Sequence, residues 1–177
     1  MMNKRLFSLY NQVVTGILLL LILLVHNSAY ALQEDRKLPL DIVSDWSEFR
    51  NGPEGTPSGI YRGNVVMTQG NLIIHADEAT FQLIDGELDN IIATGNPVKI
   101  KDLPQPDEAL IFGEGLILSY FPKKDLLILE KDAQVEQNQD IVNANKIIYD
   151  LNTRTINAER SAKDRVHFTI QMDARDK

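Results

Sequence analysis

Side chains suited to proton transfer or metal binding are sparse in this chain. Beyond residue 31 it carries two histidines, His75 and His167, and it has no cysteine anywhere. His75 lies in I-I-H-A-D-E, so on a strand Asp77, two residues on, would share its face. One imidazole and one carboxylate fall short of the three or four ligands of a protein zinc site. A lone strand histidine reads as a solvent-facing spacer. Asp77 and Glu78 are adjacent, so a strand sends them to opposite faces and they cannot converge as an acid–base pair. No G-x-S-x-G, phosphate-binding loop or H-E-x-x-H occurs. Without cysteine, thiol catalysis, thiolate metal sites, disulfides and a lipidated N-terminus are excluded. The chain reads as a non-enzyme that needs neither metal nor cofactor.

Charge narrows the partners. The formal charge is −7, and it becomes −9 once Lys4 and Arg5 are removed. An acidic surface argues against nucleic acid and against a general attraction to anionic lipid headgroups. Arg154, Arg160, Lys163 and Arg165 cluster near the C-terminus, and the expected role of that cluster is a solvated face. Lys4 and Arg5 precede the apolar run from Val13 to Val25, which is followed by Ala29-Tyr30-Ala31. A basic start, a short apolar run and a small-x-small site make a secretory signal peptide. Thirteen residues are also too few for a comfortable membrane span of ~20. Cleavage is expected after Ala31, with residues 1–31 as the signal peptide and 32–177 as one β domain.

The elements that position everything else are strands. From Tyr61 to Phe81 the chain reads Y-R-G-N-V-V-M-T-Q-G-N-L-I-I-H-A-D-E-A-T-F. Period-two alternation on either side of Gln69-Gly70-Asn71 predicts a hairpin. A first strand begins at Leu40-Asp41-Ile42-Val43 and continues through Ser44 to Phe49. Arg50 to Gly59 is too rich in Gly and Pro for a strand interior. Asp85-Gly86 is a hairpin turn, Thr94-Gly95-Asn96 closes a strand, Pro97 to Ile100 is short, and Lys131-Asp132 is a further turn. No window shows helical periodicity, so the class is all-β.

Four segments repeat. Ser44, Ala76, Gly115 and Ala144 each stand five residues before an aromatic, respectively Phe49, Phe81, Tyr120 and Tyr149. Gly63-Asn64-Val65, Gly95-Asn96-Pro97-Val98 and Asp132-Ala133-Gln134-Val135 follow at similar places. One such unit cannot bury its apolar face alone, so stacked units must build a continuous trough. The small residue permits a bend or bulge. The inward set changes from Leu72, Ile74 and Ala76 to Ala79 and Phe81, so parity switches near Asp77.

The run Tyr61–Gly70 (Y-R-G-N-V-V-M-T-Q-G), followed by Ile74-His75-Ala76-Asp77, resembles the LptA/OstA-like family of periplasmic lipopolysaccharide-transport bridge proteins. Supporting matches are Pro39–Asp45 (P-L-D-I-V-S-D), Gly95-Asn96-Pro97-Val98 and Ala144–Tyr149 (A-N-K-I-I-Y). Asn51 to Gly59 departs from the family pattern in its Pro and Gly content. The resemblance implies an antiparallel β-jellyroll folded into an open V-shaped trough that holds lipopolysaccharide acyl chains. It also implies periplasmic location and head-to-tail self-assembly. The implied partners are an LptC-like inner-membrane anchor and an LptD-like outer-membrane barrel protein. The expected lining is Leu40, Ile42, Val65, Met67, Leu72, Ile74, Phe81, Ile100, Leu118, Tyr120, Val142 and Tyr149, with Tyr120 and Ile100 at family trough positions. The expected assembly edges carry Leu40, Ile42 and Val43 at one end, and Val166, Phe168 and Ile170 at the other. Two other readings stand beside this one. A membrane-anchored LptC-like relative would lack cleavage at Ala29-Tyr30-Ala31. A structural β-solenoid-like envelope protein would use the same residues only as core.

Overall fold

Alternating apolar residues give ten strands in the computed structural model, which describes residues 38–51, 57–104, 108–162 and 164–171. They are β1 (Asp41–Val43), β2 (Trp46–Asn51), β3 (Pro57–Gln69), β4 (Leu72–Ile84) and β5 (Glu87–Asp102), then β6 (Ile111–Phe121), β7 (Leu126–Gln137), β8 (Asp140–Asp150), β9 (Thr155–Glu159) and β10 (His167–Thr169). One 3₁₀ turn, Pro122–Lys124, joins β6 to β7 and ends on Asp125 in the left-handed region. The expected signal peptide, residues 1–31, lies outside the described residues.

The strands form one antiparallel sheet in the order β1-β3-β4-β5-β6-β7-β8-β10, with β2 also on β3 and β9 also on β8. Tight turns link the long strands. Gly70 has φ +56, as Gln69-Gly70-Asn71 requires. Asp85 and Gly86 both have positive φ, as do Asn138 and Gln139, which matches the twist that two-residue hairpin loops need.

Every long strand breaks register near its middle, and the β4–β5 pair shifts a second time between Gln82 and Leu83, close to its hairpin turn. The breaks fall between Arg62 and Val65 in β3, His75 and Glu78 in β4, Thr94 and Val98 in β5, Glu114 and Ile117 in β6, and Glu130 and Ala133 in β7. Together they draw one crease across the sheet. On one side lie β2, residues 57–62, 78–84, 87–94, 117–121, 126–130 and 146–150, and β9; we call this the first half. On the other lie β1, residues 65–69, 72–76, 98–102, 111–115, 133–137 and 140–144, and β10. The buried set changes parity at the crease, from Leu72, Ile74 and Ala76 to Ala79, and from Ile111 to Leu118 and Tyr120. The expected switch near Asp77 is therefore one instance of a rule that every long strand follows.

Four expectations need correction. Thr94-Gly95-Asn96 does not close a strand and Lys131-Asp132 is not a turn between strands, because β5 and β7 run straight through both. The left-handed residues Gly63, Asn64, Lys131 and Asp132 instead supply the bulges of β3 and β7 at the crease. The Asn96–Pro97 peptide of β5 is cis. The first strand is likewise not continuous, since Ser44 and Asp45 separate β1 from β2, which pair with opposite ends of β3. Of the expected turn cluster Arg50 to Gly59, Arg50 and Asn51 end β2 and Pro57–Gly59 opens β3, where Gly59 pairs with both Phe49 and Phe81.

The crease is tied by a repeated contact. Asp45 N–H donates to Gly63 O at 2.9 Å, and Asp45 Oδ2 accepts from Asn64 Nδ2 at 2.8 Å. Asp77 Oδ2 accepts the Asn96 backbone N–H at 3.1 Å. Both side-chain ties join residues 19 apart, each an acidic residue following a small one and each captured by a G-N pair.

Candidate functional site

The inner faces of the two halves meet in one apolar cluster. Val65, Met67, Leu72, Ile74, Ile100, Leu118, Tyr120 and Tyr149 are all at most 2 % exposed. Leu40, Ile42, Phe81 and Val142 are half-buried and pack against the same cluster. The twelve expected lining residues thus come together. The cluster also takes in residues that were not expected, among them Ile91, Ala93, Val98, Ile111, Leu127, Leu129 and Val135. Their signal was alternation within β5, β6 and β7, which the supposed turns at Gly95 and Lys131 obscured.

Two polar contacts cross between the halves. Gln69 and Asp102 are the buried polar side chains among the described residues, and both stand on the second half, at the strand ends away from the crease. Tyr120 Oη donates to Gln69 Oε1 at 2.5 Å, and Tyr149 Oη donates to Asp102 Oδ2 at 3.0 Å. Gln69 Nε2 in turn donates to Leu38 O at 3.0 Å. A buried phenol needs such an acceptor. In both cases the tyrosine strand lies three places further along the sheet than the strand it reaches, β6 against β3 and β8 against β5. The two halves therefore cross at an angle as they leave the crease.

Among the described residues, that crossing leaves opposite inner faces bare at the two ends. At the β2 end the first half shows Phe49, 59 % exposed, with Phe49 and Phe81 ring centroids 6.0 Å apart and Tyr61 5.8 Å from Phe81. Gly59 between them has no side chain to hold the rings apart. At the β10 end the second half shows Val166, Phe168 and Ile170. Phe168 pairs with Val142, so it shares the inward face. The expected edges are thus edges of the second half; β2 and β9 are the corresponding edges of the first, and Val43, paired with the outward Val66, lies on the outer face.

The polar residues weighed for chemistry lie elsewhere. His75 and Asp77 are exposed on the outer face, and Asp77 serves the crease. No group of three or more His, Asp or Glu among the described residues could hold a metal. In the basic cluster Arg154 pairs with Glu108, Arg160 and Arg165 are exposed, and Lys163 lies outside the described residues. The displaced titrations are surface ones. Hydrogen bonding from Lys123 holds Glu87 below the usual carboxylate range, and the backbone amide of Thr153 does the same for Asp150. No helix among the described residues is long and apolar enough to cross a membrane.

A folded, creased sheet with an apolar interior is a specific architecture. The family model described as LptA/(LptD N-terminal domain) LPS transport protein matches residues 42–155, from β1 to the start of β9. The chain belongs to this family. The lipopolysaccharide export system protein LptH of Pseudomonas aeruginosa is 30 % identical over 139 residues, covering 78 % of each chain. The lipopolysaccharide export system protein LptA of Haemophilus influenzae is 27 % identical over 147 residues, covering 81 % of this chain and 83 % of its own. The crystal structure of LptH from Pseudomonas aeruginosa, described as the LptA-homologous periplasmic component of a lipopolysaccharide transport device, superposes with a TM-score of 0.71. It shares 25 % identity over 78 % of this chain and 99 % of its own. The family's jellyroll trough is the sheet described above. Its crease accounts for the G-N and small-residue positions that carried the resemblance.

Proposed function

We propose that this chain is a periplasmic carrier of lipopolysaccharide, with the acyl chains lying between the two halves of the sheet. The observation that carries the reading is the inner face itself: it is apolar across all the long strands, and the polar side chains buried in it, among the described residues, are Gln69 and Asp102 at its outer ends. The halves are in contact, so a lipid enters by parting them. An acyl chain that replaces side-chain contacts leaves the apolar area hidden from water nearly unchanged. Each buried methylene contributes ~0.8 kcal/mol. A smooth apolar lining of this kind holds a chain without fixing it at one depth, which suits passage.

The leader of residues 1–31 would deliver the chain to the periplasm, where LptH is described as a component. Bare edges at both ends invite strand addition. Copies would join head to tail, β9 and β10 of one against β2 and β1 of the next. The end members would meet an LptC-like anchor and an LptD-like barrel protein, whose own β domains would continue the sheet. The chain carries lipid and catalyses no reaction.

Photo-crosslinking tests the reading. A benzophenone side chain at Phe81 or at Val142, both half-buried and so tolerant of change, captures lipopolysaccharide; the same group at Ile92, exposed and outward, does not. Equal capture at all three positions, or at none, would sink the carrier reading.

A further inference from the structure

The two rims of the folded sheet, at the strand ends away from the crease, differ in charge. Turns of the first half carry Lys123 and Lys124, between β6 and β7, and Arg154, between β8 and β9. Among the described residues, the turns of the second half carry no cation and have a carboxylate at Glu108. The groups that join the rims are sorted the same way. Tyr120 and Tyr149 on the first half donate to Gln69 and Asp102 on the second. Besides these buried contacts an exposed ion pair bridges the opening: Arg154 Nη1 donates to Glu108 Oε1, 46 residues away. It lies beyond the ends of β8 and β5, outside the Tyr149–Asp102 bond. We propose that Arg154 binds a phosphate of the lipid's headgroup, and that Glu108 is the group this phosphate displaces. The inference rests on the carrier reading and deepens it. It concerns what holds the headgroup at the opening, not what lies in the core.

The chemistry favours the exchange. A guanidinium fork matches phosphate as well as it matches carboxylate, and a phosphomonoester carries roughly −1.5 to −2 charge where a carboxylate carries a single one. The two side chains are 38 % and 36 % exposed, so water screens the existing pair and it is weak. A lipid that parts the halves also draws Glu108 away from Arg154, since the two stand on opposite rims. The guanidinium is then at the opening, where a headgroup must sit when its chains lie inside. A shaped turn presents it. The Asp150 carboxylate accepts the amides of Asn152 at 3.0 Å and Thr153 at 2.7 Å, and Leu151 N–H donates to Asp125 O at 2.8 Å. That last bond fastens the turn to the one that carries Lys123 and Lys124. A chain with formal charge −7 repels phosphate in general, so local cations decide where one can settle.

Binding of lipopolysaccharide, and of the same lipopolysaccharide stripped of its phosphates, tests the assignment. The unaltered protein should bind the phosphorylated form about tenfold more tightly, the scale of one charge-assisted contact. Arg154→Gln should bind both forms alike, its retained binding of the stripped form showing that it is folded. Lys101→Gln, the same change of charge at another exposed position, should keep the tenfold preference. Glu108→Gln should bind the phosphorylated form about two- to fivefold more tightly, because no ion pair has to be broken. Inorganic phosphate alone should leave the Arg154 Nε–H resonance in place at concentrations where lipopolysaccharide shifts it.

Equal binding of the two forms by the unaltered protein would overturn the phosphate site and leave the carrier reading standing. Binding of neither form would remove the carrier reading itself. A preference kept by Arg154→Gln would put the phosphate on another residue, and one lost equally by Lys101→Gln would make net charge the cause; either overturns the assignment. Unchanged binding by Glu108→Gln would overturn the displacement. An equal shift of Arg154 by inorganic phosphate would make free phosphate the ligand and overturn the headgroup assignment.

Discussion

Tyr149, at the end of β8, and Asp102, at the end of β5, are 47 residues apart in the chain and on opposite halves of the folded sheet, yet the tyrosine hydroxyl reaches the buried carboxylate at 3.0 Å. Removing one donor from a buried acceptor costs about 1–3 kcal/mol. Tyr149→Phe keeps the ring volume, so the loss reports the hydrogen bond and not a cavity. Urea denaturation should show a lower midpoint at unchanged slope. Tyr120→Phe, acting on the neutral amide of Gln69, should cost about 0.5–1.5 kcal/mol. A midpoint unchanged in both variants would mean that neither bond closes the halves.

The crease ties make a second prediction. Asp45 and Asp77 hold Asn64 and Asn96 across the line where the sheet folds. Asp77→Ala leaves the Asn96 amide without that carboxylate and should cost about 1 kcal/mol. Asp45→Ala should cost a similar amount, and the two should add, because they serve different strand pairs. Equilibrium unfolding of the two single variants and the double variant checks both sizes and their sum. A double variant no worse than either single one would mean the crease is held by something else.

These ties also show what was legible in the sequence. The all-β class, the hairpin at Gly70, the switch of faces near Asp77 and the gathering of twelve apolar residues in one cluster could all be read from alternation and from the family resemblance. The bend expected there was read at the small residues, but not the single crease that runs through every long strand. Gly95-Asn96-Pro97 and Lys131-Asp132 carry the same residues that end strands, and local preference does not distinguish a strand end from a strand that bends and continues. What separates them is the partner strand, bent at the same level, which is a property of pairing. The shared spacing of 19 between Asp45 and Asn64 and between Asp77 and Asn96 was a readable signal that went unused. The reach from Tyr149 to Asp102 left no trace at all, because it depends on the angle at which the two halves cross.

Gly59 is required for a packing reason, not for its backbone. A Cβ there would lie against Phe81 Cε1 and 2.6 Å from its Cζ. Gly59→Ala should therefore destabilise by about 1–3 kcal/mol, the usual size of an overpacking penalty. Phe81→Leu removes the ring edge and should recover most of that loss in the double variant. Thermal melts of the four proteins in the cycle measure the coupling. Additive losses would show that the ring is not the obstacle.

Asp150 gives a pH signature at the turn between β8 and β9. Its carboxylate accepts the amides of Thr153 at 2.7 Å and Asn152 at 3.0 Å. Those bonds, the one from Thr153 foremost, hold its pKa below the ordinary aspartate range. A depressed carboxylate pKa means that its contribution to stability is complete above the unfolded-state pKa and is lost as the pH falls through the folded-state pKa. The Thr153 amide resonance should therefore stay constant near neutrality and titrate only below the ordinary aspartate range. In Asp150→Asn that titration should vanish. A midpoint above the ordinary range would contradict the bonding.

The ends of the sheet predict the geometry of self-association. If copies join head to tail, each joint uses one β1–β2 end and one β9–β10 end, so each end can be blocked separately. Phe49 and Phe168 are exposed on edge strands, and a lysine on an edge opposes strand addition. Phe49→Lys leaves a copy with only its β10 end competent, and Phe168→Lys leaves one with only its β2 end. Sedimentation velocity should find each variant monomeric alone at concentrations where the unaltered protein associates. An equal mixture should form dimers and stop there, because every dimer has spent both of its good ends. The described faces give the expectation its reason: the first half is uncovered at β2 and the second at β10, so two like ends would offer the same half and leave the other unroofed. Dimers of either variant alone would show that like ends join, and a mixture that grows beyond dimers would show that the edges are not where copies meet.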